Sequence, residues 1–187
     1  MNPGHVGEGR GQRPVTVADV AAVRALMDSD SARILLSADL QTEELAARFI
    51  RALNTQQWSM PRLVEAPAEG LCFTTDIDLR NLSARLIAVF RNPGEAADDL
   101  RCYLRDLMLC FPYHRIFALV PWSLPDLGEV HREAGFQAEG VMRDHFLRGD
   151  RIEDAHVYGL LRPDFFASEP AGTHEPGIAG TLRAGPE

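Results

Sequence analysis

The feature that most constrains the fold is a strand, a loop and a helix that lead into a second strand. Ser83 to Phe90 carries Leu86, Ala88 and Phe90 on one face and Ile87 and Val89 on the other. A strand that is apolar on both faces belongs inside a sheet covered on both sides. The loop Arg91-Asn92-Pro93-Gly94-Glu95-Ala96 follows, and then a helix over 95–111. Its Ala97, Leu100, Leu104, Leu107 and Phe111 recur at spacings of three and four, so they form one stripe. Pro112 stops the helix. Ile116 to Val120 is then wholly apolar, a second strand buried on both faces. Two buried strands joined through a helix predict a central crossover in a mixed α/β sheet.

The rest of the chain fills in around this unit. A helix is expected from Thr16, with Asp19 at its positive end. Another is expected from Thr42, with Leu45, Phe49 and Leu53 inward and Glu43, Glu44, Arg48 and Arg51 outward. Residues 28–39 read as a connector with a short apolar centre at Ile34-Leu35-Leu36. Short strands are expected at 62–66 and 70–75, with a turn at Asp78-Leu79-Arg80-Asn81. A helix from Asp126 to Ala134 ends at Gly135. Two strands, around 141–147 and 155–161, are joined at Arg148-Gly149-Asp150 as a hairpin. The order is helices first, then β-β-β-α-β-α-β-β.

Composition bounds the rest. The 187 residues suit one domain. Residues 1–14 and 168–187 hold 13 of the 27 glycines and prolines and almost no large apolar side chain. Both are expected to be disordered tails around a folded part at 15–167. The net charge of −8 argues against a nucleic-acid footprint. No apolar run reaches the ~18 residues of a membrane span. With no signal-peptide pattern at the start, a cytoplasmic location is expected. All 19 basic residues are arginine. That excludes a Schiff-base lysine and the usual P-loop. Cys72, Cys102 and Cys110 form no C-x-x-C pair, and the six histidines show no zinc-ligand spacing, so no metal is expected.

The junction at 91–96 is where chemistry could sit. A strand that runs through a glycine-containing loop into a helix aims free backbone N–H groups at one point, where the helix dipole adds positive charge. Gly94 allows close approach of a ligand and Ala96 keeps the next turn small. A plain strand-to-helix turn is the competing reading. Glu95, Asp98 and Asp99 suit the helix dipole but repel an anion.

Several segments, taken in order and spacing, resemble the GNAT superfamily of acyl-CoA-dependent N-acetyltransferases. The resemblance is to the branch that includes the ribosomal-protein N-terminal acetyltransferases. The loop 91–96 is similar to the family's R/Q-x-x-G-x-G/A pyrophosphate loop. Tyr113-His114-Arg115-Ile116 resembles a Leu-His-Arg-Val stretch. Residues 133–144 resemble a GF-x-x-EG-x-x-R segment, and Gly149-Asp150-Arg151 with 154–161 resembles the final hairpin. The coverage is roughly 15–166.

The resemblance implies a mostly antiparallel sheet with a splayed parallel central pair, flanked by helices. It implies that acetyl-CoA or another acyl-CoA binds as co-substrate. Arg91, Asn92, Pro93, Gly94, Glu95 and Ala96 would hold its pyrophosphate, and strand residues Leu86 to Ala88 its pantetheine arm. The acceptor would be a small-molecule or peptide amine, and a homodimer is possible. The family's loop asparagine falls on Leu124, its small residue on Leu127, and its general-acid tyrosine on His131. An imidazole can replace a phenol as proton donor; a helix histidine without a role is the competing reading. Asp76 is the candidate base, with a turn-forming aspartate as the blander alternative. His145 and His156 could line the same groove or simply pack on the strand face, and Trp58 and Trp122 could wall a pocket or simply pack. Glu139 and Arg143 are expected to pair. Two functions stand against each other: an acyltransferase, most simply an acetyl transfer to an amine, or a protein of this fold that binds or scaffolds without transfer, or that uses other acyl-CoA chemistry.

Overall fold

The computed structural model describes residues 11–36, 40 and 42–168. Seven strands form one sheet: β1 (Gln12–Pro14), β2 (Arg62–Val64), β3 (Gly70–Asp78), β4 (Ser83–Phe90), β5 (Arg115–Pro121), β6 (Gln137–Arg148) and β7 (Arg151–Leu161). Among the described residues the α-helices are α1 (Val20–Leu26), α2 (Asp30–Leu35), α3 (Glu43–Thr55), α4 (Ala97–Cys110), α5 (Pro125–Glu133) and α6 (Arg162–Ala167). The strand order is β1-β2-β3-β4-β5-β7-β6. Every neighbouring pair is antiparallel except β4–β5. The mixed sheet with one central parallel pair is the architecture expected from the sequence.

β4 builds both cores because its side chains alternate across the sheet. Leu86, Ala88 and Phe90 pack with Leu100, Leu104 and Leu107 of α4 and with Val130 of α5. Ile87 and Val89 pack on the other face with Val23 and Leu26 of α1 and Ile50 and Leu53 of α3. Gly135, at φ +105°, ends α5 in the left-handed conformation that glycine tolerates best. Gly149, at φ +64°, does the same in the two-residue turn between β6 and β7.

Several elements depart from the sequence reading. Residues 12–14, assigned to the N-terminal tail, form edge strand β1 through backbone pairing with β2, which composition does not reveal. Residues 1–10 and 169–187, the remainder of both tails but for Gly11 and Ser168, lie outside the described residues. The connector at 28–39 contains α2, capped by the Ser29 hydroxyl accepting from Ala32 N–H. In α3 the buried stripe is Ala46, Ile50 and Leu53, while Leu45 is exposed. The alanine supplies the apolar step that moves the stripe by one residue. Glu139 pairs with Arg115 across the sheet rather than with Arg143. The Asp78 turn is present: its carboxylate accepts from the N–H groups of Arg80 and Asn81.

Candidate active site

The parallel pair β4–β5 sets the site. Its register runs only from Ser83↔Arg115 to Leu86↔Ala118. Beyond that rung Ile87–Phe90 and Leu119–Pro121 are no longer paired with each other, so the two strands part. The Arg91 N–H donates to the Glu69 carbonyl, on the β3 side. Backbone groups alternate in direction along a strand, so those of Ala88 and Phe90 point the other way, into the gap. The Phe90 carbonyl is taken at 3.1 Å by the Ser31 hydroxyl of α2. Ala88 presents a donor and an acceptor to the gap. At the open end lies a cavity of about 300 Å³, lined among others by Ser31, Phe90, Arg91, Pro93, Leu124 and Leu127.

The loop after β4 contributes fewer donors than its sequence suggests. Pro93–Glu95 forms a single 3₁₀ turn, and α4 begins at Ala97. The N–H groups of Arg91, Asn92, Glu95 and Ala96 are bonded to Glu69, Ala68, Asn92 and Pro93 carbonyls, and Pro93 has none. The first turn of α4 and Gly94 therefore hold the donors available to an anion. The Asn92 amide donates to the Pro67 carbonyl and the Arg91 guanidinium to the Glu69 carboxylate. Gly94 has no atom within 4 Å of where a Cβ would stand, so space lies open beside it. Burial, with the neighbouring Asp98 charge, pushes the Asp99 carboxyl up.

His131 does lie in the interior, 2 % exposed, in the last turn of α5. Its Nδ1 is 2.7 Å from the Leu127 carbonyl, one turn back. A carbonyl only accepts, so Nδ1 carries the proton and donates it there. Burial holds the ring pKa down at about 4, with the Leu127 bond opposing weakly. The ring is therefore neutral at pH 7, and its one N–H is already committed. That geometry does not supply a proton donor, because Nε2 of the neutral ring is a lone pair.

Asp76 is not brought to the gap. It lies at the bulge of β3 beside the Ser83–Arg85 end of β4, where β4 and β5 remain paired. Its exposed carboxylate sits 3.6 Å from the Arg85 guanidinium, and φ of +48° places it in the left-handed region. The turn-like role is the one its surroundings fit. Leu86 and Ala88 are buried at the start of the gap. His145 is exposed on β6. Trp58 packs against Phe111, away from the gap.

The sequence reading missed a line of rings. The exposed Trp122 stacks on His156 at 4.6 Å, His156 lies 6.2 Å from Tyr158, and Tyr158 lies 5.8 Å from His131. The signal was present: His156 and Tyr158 are two residues apart on a strand and share a face. The helix partners were not legible, because they come from another part of the chain.

A seven-stranded, mostly antiparallel sheet that parts at a central parallel pair, with a glycine-containing loop and helix after the first of the two strands, is the fold of the GNAT acetyltransferases. Solved structures bear the likeness. The spermidine N-acetyltransferase SpeG of Vibrio cholerae in complex with CoA and spermine superposes at TM-score 0.71 and 16 % identity, over 83 % of this chain and 96 % of that one. A single-site mutant of the same enzyme gives TM-score 0.70 at 17 % identity, over 84 % and 97 %. A chimera of it with hSSAT gives 0.69 at 16 %, over 83 % and 98 %. No family model matches the sequence, and no curated protein does. Among the described residues no helix is long and apolar enough to cross a membrane, and no group of three metal-ligating side chains gathers.

Proposed function

We propose that this protein is an acyl-CoA-dependent N-acyltransferase that moves an acetyl group to a primary amine. The observation that carries the reading is the parted β4–β5 pair with the Ala88 backbone groups facing the gap. An extended amide chain such as pantetheine can pair with them as an added strand would. The pyrophosphate would then lie at the first turn of α4 beside Gly94, where the dipole favours an anion and the space is open. The SpeG structure with CoA and spermine, of the same fold, supports an acyl-CoA donor and a small amine acceptor.

In such a transfer the amine nitrogen attacks the thioester carbonyl, the C–S bond breaks, and the sulfur takes a proton. A second reading is a protein of this fold that binds CoA without transfer. It is favoured by His131, whose proton is committed to Leu127 where a donor is expected. One experiment separates them. Acetyl-CoA at ~100-fold its dissociation constant should stabilise the fold by ~2.7 kcal/mol in either case. Only the transferase releases free thiol when spermine, spermidine or a peptide with a free amino terminus is added. Absence of any stabilisation overturns both.

A further inference from the structure

We propose that the Tyr158 phenol of β7, rather than His131, protonates the sulfur that leaves the acyl donor. The inference rests on the transferase reading above.

Three observations place Tyr158 for this. First, it occupies the rung where the gap begins: Ala118, the last β5 residue paired with β4, is paired with Tyr158 on its other side. Laterally paired residues share a face of the sheet, so Leu86, Ala118 and Tyr158 stand side by side on the α4–α5 face. The residue between the phenol and the gap is an alanine, which leaves the way short. Second, the hydroxyl reaches α5 at its one glycine. A Cβ on Gly128 would stand 2.8 Å from the Tyr158 oxygen. The missing side chain is the space the hydroxyl occupies. Third, that hydroxyl makes no hydrogen bond among the described residues, although the side chain is 1 % exposed. Unlike the Tyr103 hydroxyl, it is not wholly sealed from solvent, so a ligand can reach it.

The chemistry follows from the proton inventory. A phenol offers one O–H to donate. His131 has its single N–H on Leu127. As the C–S bond breaks, its electron pair goes to sulfur, and the Tyr158 proton passes to that sulfur to give CoA thiol. The amine, having formed the C–N bond, loses its extra proton to water. The phenolate takes one back from water along the His156 side, where the half-buried imidazole and the exposed Trp122 lead outward. The net reaction is thioester plus amine to amide plus thiol. His131 lies beside the phenol, its ring 5.8 Å away with its one N–H held by Leu127, and takes no part in the transfer.

The test is Tyr158→Phe in the full chain, with acetyl-CoA as donor and the amine that gives most thiol release. The expected result is a kcat at least tenfold lower, with the KM and dissociation constant for acetyl-CoA and the melting temperature unchanged. His131→Gln, which can still donate to Leu127, should keep kcat within about threefold. Should the phenylalanine variant fail to fold, Gly128→Ala keeps the phenol but displaces its hydroxyl, and is measured the same way. A Tyr158→Phe variant that turns over like the parent overturns the proposal alone. So does one whose activity falls only in step with lost acetyl-CoA binding. A parent that releases no thiol with spermine, spermidine or the peptide overturns the transferase reading itself, and the proposal with it.

Discussion

The Tyr158 hydroxyl lies 2.8 Å from the point where a Cβ on Gly128 would stand, so one side chain from β7 fills the place left empty on α5. The pair couples the sheet to the helix across the buried face. An alanine at 128 brings two opposed effects. It adds about 1 kcal/mol of helix propensity. It also forces the phenol aside, and overpacking of this kind typically costs ~1–3 kcal/mol. The expected outcome for Gly128→Ala is a loss of about 1 kcal/mol in denaturant unfolding. In a Tyr158→Phe background the clashing oxygen is gone and the ring carbon is 3.6 Å away, an ordinary contact. The same alanine should then be neutral or stabilising. A loss of equal size in both backgrounds would show that the hydroxyl is not what Gly128 accommodates.

Gly94→Val separates binding from stability. The space beside Gly94 is open, and its φ is not in the left-handed region, so the folded protein accommodates a side chain there. The melting temperature should stay within about 1 °C. A branched side chain should still keep a pyrophosphate from the backbone, and acetyl-CoA affinity measured by calorimetry should fall at least tenfold. Unchanged affinity would remove the loop from the site.

The His131 ring gives a pH signature. Its folded pKa of about 4 lies below the unfolded value near 6.5. Between these values the unfolded chain holds more protons, so stability rises with pH across this window and is lost as pH falls through it. The contribution from pH 7 to pH 4 is on the order of 3 kcal/mol. Urea unfolding of the parent and of His131→Gln should therefore diverge with pH. The variant should lose less stability on acidification, and parallel curves would mean that the ring is charged in the fold.

Ser31→Ala removes the donor to the Phe90 carbonyl at the open end of the gap. An acceptor left without its partner in a buried place costs about 1–3 kcal/mol. The melting temperature should drop by several degrees in thermal unfolding. A drop under 1 °C would show that water replaces the hydroxyl.

The centre of this protein was legible in its side-chain pattern. The two-faced apolarity of β4, the stripe of α4 and the apolar β5 dictated a covered sheet with one parallel crossover, because hydrophobic burial follows directly from side-chain period. The glycine loop and the hairpin turn were legible for the same reason: their conformations are local. The edge elements were not. β1 is held by backbone pairing to a strand some fifty residues away, and α2 by a serine reaching Phe90, and neither leaves a periodic trace. The functional side chains divided along the same line. His131 was found by its spacing from Gly135-Phe136, but its protonation was decided by burial and by the Leu127 carbonyl. Asp76 looked available as a base until the strand register put it at the closed end of the pair. Tyr158 and Gly128 are thirty residues apart in the chain. Only the antiparallel pairing of β7 on β5, with α5 laid across them, brings a phenol to the place where a helix lacks a side chain.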